Sequence, residues 1–154
     1  MRNNKGFSTI LICVIVLFVC MLIAITIEYA AMFNTAESEK AEAQLKLDRL
    51  ITAYAVEKYD ALKQGDAYST YITPEKLVSE AYKALGFELL STDKLTVTKG
   101  TLTYVVERPQ ITYLSDGQFG VEATFTIRLP FEVFGRKIAD LTVPVKVVSK
   151  YTER

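Results

Sequence analysis

The sequence predicts an α+β protein in which a long N-terminal helix crosses a membrane and carries a small domain outside it. Three observations predict this class. The stretch 7–27 contains no charged residue, no Gly and no Pro. The stretch 28–64 also lacks Gly and Pro, and it is rich in the residues that favour helices. From Leu95 onward the apolar residues alternate with a period of two, which is typical of half-buried strands.

The first predicted element is a transmembrane helix over residues 7–27. At about 1.5 Å per residue this run is roughly 31 Å long, which matches a hydrocarbon core of about 30 Å. The alternative is a cleaved secretory signal, whose apolar region is shorter, about 7–15 residues, and ends in a small-x-small site. Cleavage after Ala30 or Ala31 would place Glu28 or Tyr29 where that small residue is needed. We therefore expect an anchor that stays in the membrane.

The orientation of the chain follows from the charges around this run. Arg2 and Lys5 are the charged side chains that precede it, so the positive-inside rule keeps residues 1–6 in the cytoplasm and sends residues 66–154 outside. We expect a single-pass protein of the cell membrane with an extracytoplasmic C-terminal domain. Residues 28–154 are slightly acidic and contain no basic stripe, so we expect no nucleic-acid partner.

Residues 28–65 are predicted to continue the span as an amphipathic helix. Leu47, Leu50, Ile51 and Tyr54 recur at spacings of three and four residues, which places them on one face. Gly65 stands where a left-handed helix cap belongs. We expect the apolar face to dock on other subunits of an assembly.

A short helix and a sheet are predicted within residues 66–154. The helix begins at Thr73-Pro74-Glu75, which provides a capping side chain, a proline suited to the first turn and a carboxylate at the positive helix end. We expect this helix to end at Gly86.

The sheet is predicted to be an antiparallel meander of about four strands packed against helical surface. The alternation is clearest over 121–129 and 141–147, and Pro144 predicts an edge strand or a bulge. Two shorter strands, 101–107 and 111–114, are predicted with a break at Pro109. Turns are expected at Asp116-Gly117 and over 134–137.

Several kinds of catalytic chemistry have no residues to support them. The sequence contains no histidine, and its two cysteines, Cys13 and Cys20, lie inside the predicted span. Imidazole bases, histidine metal sites and thiol nucleophiles outside the membrane are thereby excluded. We predict no catalytic residue, no metal, no cofactor and no enzyme activity. The acidic residues at 37, 39 and 42 are interpreted as a solvated helix face rather than a cation site.

The two cysteines allow two interpretations. Seven residues apart, they share a face of the helix but sit about 10.5 Å apart along its axis, which excludes an internal disulfide. They are either small apolar residues in a packed helix or contacts between chains in an assembly.

The N-terminal segment MRNNKGFSTILICVIV resembles a type IV prepilin. Such chains have a short basic leader, a Gly at the cleavage point, often Phe next, and then a long apolar helix. The resemblance implies that a prepilin peptidase cuts after Gly6 and leaves Phe7 as the mature N-terminus. Typical pilins have Glu five residues into the mature chain, and Leu11 stands at that place here. This departure favours a low-copy initiating or tip component over the main fibre protein.

The first 60 residues are similar to the TadE-like family of tight-adherence (Flp-type) pilus systems. Those proteins have one N-terminal span that ends in an acidic-aromatic pair and continues as an Ala-rich helix. The segment Ile27-Glu28-Tyr29-Ala30 is similar to that ending. Glu28 is then either an interfacial carboxylate at the membrane edge or a registry contact to another subunit, together with Tyr29.

The leading hypothesis is a structural minor pilin or pseudopilin, whose partners are the lipid bilayer, other pilin-like subunits, pilus assembly proteins and prepilin peptidase. The alternative is a membrane-anchored extracytoplasmic binding module that does not polymerise. An anchored enzyme is the third hypothesis, and no residue pattern favours it.

Overall fold

The computed structural model describes residues 5–63, 73–87, 93–114, 119–133 and 135–151. It contains two helices and five strands, and its α+β class is the one that the sequence predicts. The elements in chain order are α1 (Lys5–Lys63), α2 (Pro74–Ala84), β1 (Lys94–Lys99), β2 (Leu102–Glu107), β3 (Gln110–Tyr113), β4 (Phe119–Val133) and β5 (Arg136–Tyr151).

Helix α1 is one uninterrupted helix of 59 residues, which is about 88 Å at 1.5 Å per residue. It passes without a break from the apolar run into the amphipathic part, as predicted, because no Gly or Pro follows Gly6 in this helix. The predicted cap at Gly65 lies outside the described residues.

Helix α2 is bounded by the capping residues that the sequence predicts. The Thr73 hydroxyl accepts a hydrogen bond from the Lys76 backbone N–H at 3.3 Å, and Pro74 occupies the first helical position. At the other end Gly86 has a φ of +88°. Its N–H donates to the Lys83 carbonyl, and the next N–H donates to the Tyr82 carbonyl. This pair of bonds is a Schellman motif, which favours Gly because the residue is left-handed.

The sheet is antiparallel and is built around β4. Strand β5 pairs along one edge of β4, β3 and β2 share the other edge, and β1 pairs with β2. The predicted break at Pro109 separates β2 from β3. There are five strands rather than about four because Lys94–Lys99 forms a strand, β1, that was not among those predicted. Val106 pairs with Ile127 and Gln110 with Thr124, so the β2–β3 side holds one extra residue, as in a bulge.

Strand β5 is an edge strand, which accommodates its proline. Among the described residues β5 pairs only with β4, and Pro144 lies opposite Thr126. The predicted edge position of Pro144 is therefore confirmed. The predicted β4–β5 turn is also present, with Gly135 at a φ of +72°, whereas Asp116-Gly117 lies outside the described residues.

The core lies between the inner face of the sheet and one face of α1. The predicted alternation of β4 is confirmed, since its odd-numbered residues from Val121 to Leu129 are buried while Thr124 and Arg128 are exposed. Helix α1 packs against β4 and β5, and α2 packs against β3. The residues of α1 that enter this core are Met32, Ala36, Ala43, Leu47 and Ile51.

Candidate functional site

The first candidate surface is the apolar run at the start of α1. The helix is long and apolar enough to cross a membrane, and none of its most apolar window is buried by the rest of the chain. The large apolar side chains from Ile10 to Ile27 are 46–70% exposed, except that of Ile25, which is half-buried. Soluble monomers rarely expose contiguous apolar patches above a few hundred Å². A surface of this kind requires an apolar cover, either lipid or protein.

The polar side chains near the end of this run satisfy their hydrogen bonds within the helix. The hydroxyl of Thr26 donates to the Leu22 carbonyl at 2.8 Å, and that of Thr35 donates to the Ala31 carbonyl at 3.0 Å. Such bonds reduce the cost of placing a hydroxyl in an apolar surrounding. Cys13 and Cys20 are both free and exposed on the helix surface.

The predicted processing and registry residues are distributed along this helix. Gly6 and Phe7 lie in the first turn of α1, Leu11 is exposed, and Glu28 and Tyr29 are exposed where the apolar run ends. No described ion pair involves Glu28. Both interpretations of this carboxylate, as an interfacial group or as a contact to another subunit, stay predictions.

The predicted assembly stripe was expected on a free surface of α1, but it lies against the core of its own chain. Leu47 and Ile51 are buried, and Leu50 and Tyr54 are half-buried against the same core. The stripe is covered by the chain's own sheet, so Leu47 and Ile51 offer no free surface to another subunit in this fold. The period of the stripe indicated correctly that something covers it, but not that the cover comes from the same chain.

The face of α1 that stays free lies opposite this stripe. It carries three large exposed side chains, Leu45, Val56 and Tyr59. The ammonium of Lys63 lies 4.6 Å from the centre of the Tyr59 ring, within the range of a cation–π contact. Arg49 interrupts the apolar character of this face.

Polar contacts hold α1 to the edge strand β5. The Ser149 hydroxyl, which is buried, donates to an Asp48 carboxylate oxygen at 2.6 Å. Gln44 donates to the same oxygen and to the Val148 carbonyl, each at 2.9 Å. A buried polar group is costly unless it is paired, so these bonds fix the helix at one position along β5.

An ion cluster joins α1 to the end of β1 on the other side. The Lys99 ammonium is paired with the carboxylates of Glu39 and Glu42, and Lys46 is paired with Glu42 at 2.9 Å. The interpretation of the acidic residues as a solvated face is therefore wrong for Glu39, whose side chain is only 13% exposed. The sequence offered no local signal, because Lys99 comes from a strand far along the chain.

The cluster shifts the pKa of its members. The hydrogen bond from Lys99, followed by that from Lys46, lowers the pKa of Glu42 from 4.5 to about 2. The hydrogen bonds with Glu39 and then Glu42 raise the pKa of Lys99 above its usual range. Burial raises the pKa of Tyr104, whose hydroxyl is buried beside the cluster without a hydrogen-bond partner among the described residues. The shifts of Glu42 and Lys99 favour the charged states that keep the cluster paired near neutral pH.

A cavity of about 150 Å³ lies beside this cluster. Its walls are mainly apolar and include Phe87, Leu95 and Phe125, while Glu39, Glu42 and Lys99 are at its charged side. The cavity is small compared with ligand pockets, which are typically about 300–1,000 Å³. Within the part of the chain that the structure describes, no group of His, Cys, Asp or Glu side chains could hold a metal ion.

Comparisons with known proteins give no assignment for this arrangement. No family model matches the chain, and neither a curated protein nor a solved structure does. The features that bear on function are therefore the exposed apolar run and the division of α1 between that run and the domain.

Proposed function

We propose that this protein is a membrane-anchored structural subunit of the minor pilin or pseudopilin kind, which takes part in a type IV or Tad-like pilus or secretion filament. The observation that carries the proposal is α1 itself. One continuous helix has an uncovered apolar half, and its other half is built into the core of an α+β domain. The resemblance of the N-terminal segment to prepilins, and of the first 60 residues to TadE-like proteins, supports the same proposal.

The uncovered half of α1 can exchange one apolar cover for another. In the bilayer, lipid covers the run, and its backbone polar groups are satisfied within the helix. In a filament, neighbouring helices of the same type would cover it by side-by-side packing. The rigid connection of run and domain would then carry the domain to the filament surface.

Leu11 favours a low-copy position in such a filament. A carboxylate at this place would pair with the N-terminal amine of a neighbour, and leucine cannot. An unpaired buried charge costs several kcal/mol even after relaxation. An initiating or tip subunit avoids this cost more readily than a repeating one.

The second candidate function is an anchored binding module that does not polymerise. The burial of Leu47 and Ile51 favours it, because the amphipathic stripe needs no neighbouring subunit to cover it. In this alternative, lipid is the permanent cover of the run and the exposed surface of the domain binds the partner.

The state of the N-terminus distinguishes the two functions. Protein purified from membranes of the native host should begin at Phe7, as measured by intact mass and N-terminal sequencing. Gly6→Leu should retain residues 1–6 and serves as the matched control, because it changes only the proposed cleavage point. A wild-type chain that retains residues 1–6 in a host with an active prepilin peptidase would contradict the filament proposal and favour the anchored module.

Copy number provides the second measurement. Quantitative mass spectrometry of sheared filaments should find this chain far below the most abundant subunit. If it is itself the most abundant subunit, the tip position argued from Leu11 is wrong.

A further inference from the structure

The contacts of α1 show which end of the sheet lies nearer the apolar run. Lys99, at the end of β1, is paired with Glu39 and Glu42 of α1. Further along the helix, Asp48 is bonded to Ser149, near the end of β5. The helix therefore passes from the end of the sheet with the β1–β2 turn toward the end with Ser149. The apolar run precedes Glu39 in α1, so it lies beyond the end of the sheet that has the β1–β2 turn.

The β4–β5 turn lies at the same end as the β1–β2 turn. Lys99 pairs with Leu102, and Val105 pairs with Arg128. Continuing this antiparallel register places Leu102 level with Phe131, just before the β4–β5 turn. We call this end, formed by residues 99–102, 131–133 and 135–138, the hairpin end.

The domain begins close to the end of the apolar run. Met32 is only 3% exposed and belongs to the core, and it follows Ile27 by five residues, or about 7.5 Å of helix. The headgroup layer on each side of a bilayer is about 5–8 Å thick, the difference between a 30 Å core and a total of 40–45 Å. With Ile27 at the hydrocarbon boundary, the domain therefore starts at the outer limit of the headgroups.

The hairpin end carries side chains that suit this layer. Ile138 is 63% exposed. The register shift between Phe131 and Glu132 leaves it as the extra residue of β5, between the paired residues Lys137 and Ala139. Bulges of this kind redirect a side chain. Arg136 is exposed, and no described ion pair involves it, whereas the Lys137 ammonium is paired with Asp140 at 2.7 Å.

We propose that the hairpin end is a lipid-contact surface. The Arg136 guanidinium binds phosphate of the phospholipid headgroups, for which its planar donors are suited. Ile138 enters the boundary between headgroups and acyl chains, where apolar side chains of peripheral surfaces are buried. The domain is thereby held against the bilayer at a second point besides α1. The inference rests on α1 as a membrane anchor and is independent of filament assembly.

Site-specific fluorescence quenching tests this contact in the full chain. Cys13→Ala and Cys20→Ala remove the native thiols, and an environment-sensitive fluorophore is attached at Ile138→Cys or, in the control, at Lys150→Cys. Lys150 is exposed on the same strand but at the opposite end of the sheet. In phosphatidylcholine vesicles with a headgroup-bound quencher, we expect several-fold stronger quenching at position 138 than at position 150. Equal quenching at the two positions would overturn the proposal.

Substitutions then test the role of Arg136. With the fluorophore at position 138, Arg136→Gln should reduce the quenching, while Lys150→Gln should leave it unchanged. The reduction should be similar in phosphatidylcholine and phosphatidylglycerol vesicles, because both headgroups contain phosphate. No reduction in either lipid, or quenching that occurs only with phosphatidylglycerol, would overturn the phosphate contact.

Flotation of the same samples separates this inference from the anchor on which it rests. A chain that does not float with the vesicles contradicts membrane anchoring itself. A chain that floats but shows equal quenching at positions 138 and 150 contradicts only the contact of the hairpin end.

Discussion

Replacing Leu47 by Ala tests whether α1 is packed on the chain's own sheet. Leu47 is 0% exposed and belongs to the core between α1 and the sheet. Truncation of a fully buried leucine costs about 3–5 kcal/mol, from the lost transfer free energy together with the cavity that remains. A loss of helix propensity does not contribute to this cost, because Ala favours a helix at least as strongly as Leu.

Leu45 provides a matched control two residues away on the same helix. Its side chain is 50% exposed, so Leu45→Ala should change the free energy of unfolding by no more than about 0.5 kcal/mol. The assay is urea unfolding of the full chain in detergent micelles. Because the chain has nine tyrosines and no tryptophan, near-ultraviolet circular dichroism of the tyrosines reports the domain.

The expected result is a large difference between the two variants. With a slope of about 1.5 kcal/mol per molar urea, a loss of 3 kcal/mol lowers the midpoint by about 2 M. Leu47→Ala should show this shift and Leu45→Ala should not. Equal midpoints for the two variants would refute the packing, and they would return the stripe to the surface as a docking site.

Three further predictions concern the ion cluster, the β5 contact and the topology. Lys99 lowers the pKa of Glu42 to about 2, so the stabilisation from this carboxylate is complete above its unfolded pKa of about 4.5 and is lost as the pH falls toward 2. The urea midpoints of wild type and Glu42→Gln should therefore differ at neutral pH and converge over that range. In the control, Glu37→Gln, which changes an exposed carboxylate outside the cluster, the midpoint at neutral pH should match that of wild type. A double-mutant cycle of Asp48→Ala and Ser149→Ala should give a coupling energy of about 1–3 kcal/mol, since their bond joins a charged group to a buried hydroxyl, and a coupling near zero would contradict that bond. In a chain with Cys13→Ala and Cys20→Ala, Thr96→Cys on exposed β1 should react with a membrane-impermeant thiol reagent on intact cells, and labelling only after lysis would show that the domain is cytoplasmic.

Those parts of the fold that local chemistry determines could be predicted from the sequence. The boundaries of α2 follow from Thr73, Pro74 and Gly86, each of which acts within its own turn of helix. The face of β4 follows from strict alternation, because successive side chains of a strand point to opposite sides. The break at Pro109 also follows from local chemistry. Its consequence, that two strands share one edge of β4, became clear only from the pairing register.

Features that depend on distant parts of the chain could not be predicted in the same way. Glu39 and Glu42 look like a solvated helix face until Lys99 is placed beside them, and that placement depends on the whole sheet. The surface that covers the stripe with Leu47 and Ile51 could not be predicted for the same reason. An amphipathic period shows that one face is covered, but an intramolecular sheet and a neighbouring subunit produce the same period.

The packing of α1 changes which substitution can test assembly. Leu50 is half-buried against the core, so Leu50→Glu would weaken the domain, and a loss of filaments would not identify a subunit contact. Val56 lies on the free face of the same helix and is exposed. We expect Val56→Glu to leave the urea midpoint unchanged because its carboxylate stays in water. Loss of filaments at unchanged stability would then assign a subunit contact to the free face of α1. Intact filaments would leave the apolar run as the part of α1 through which subunits pack.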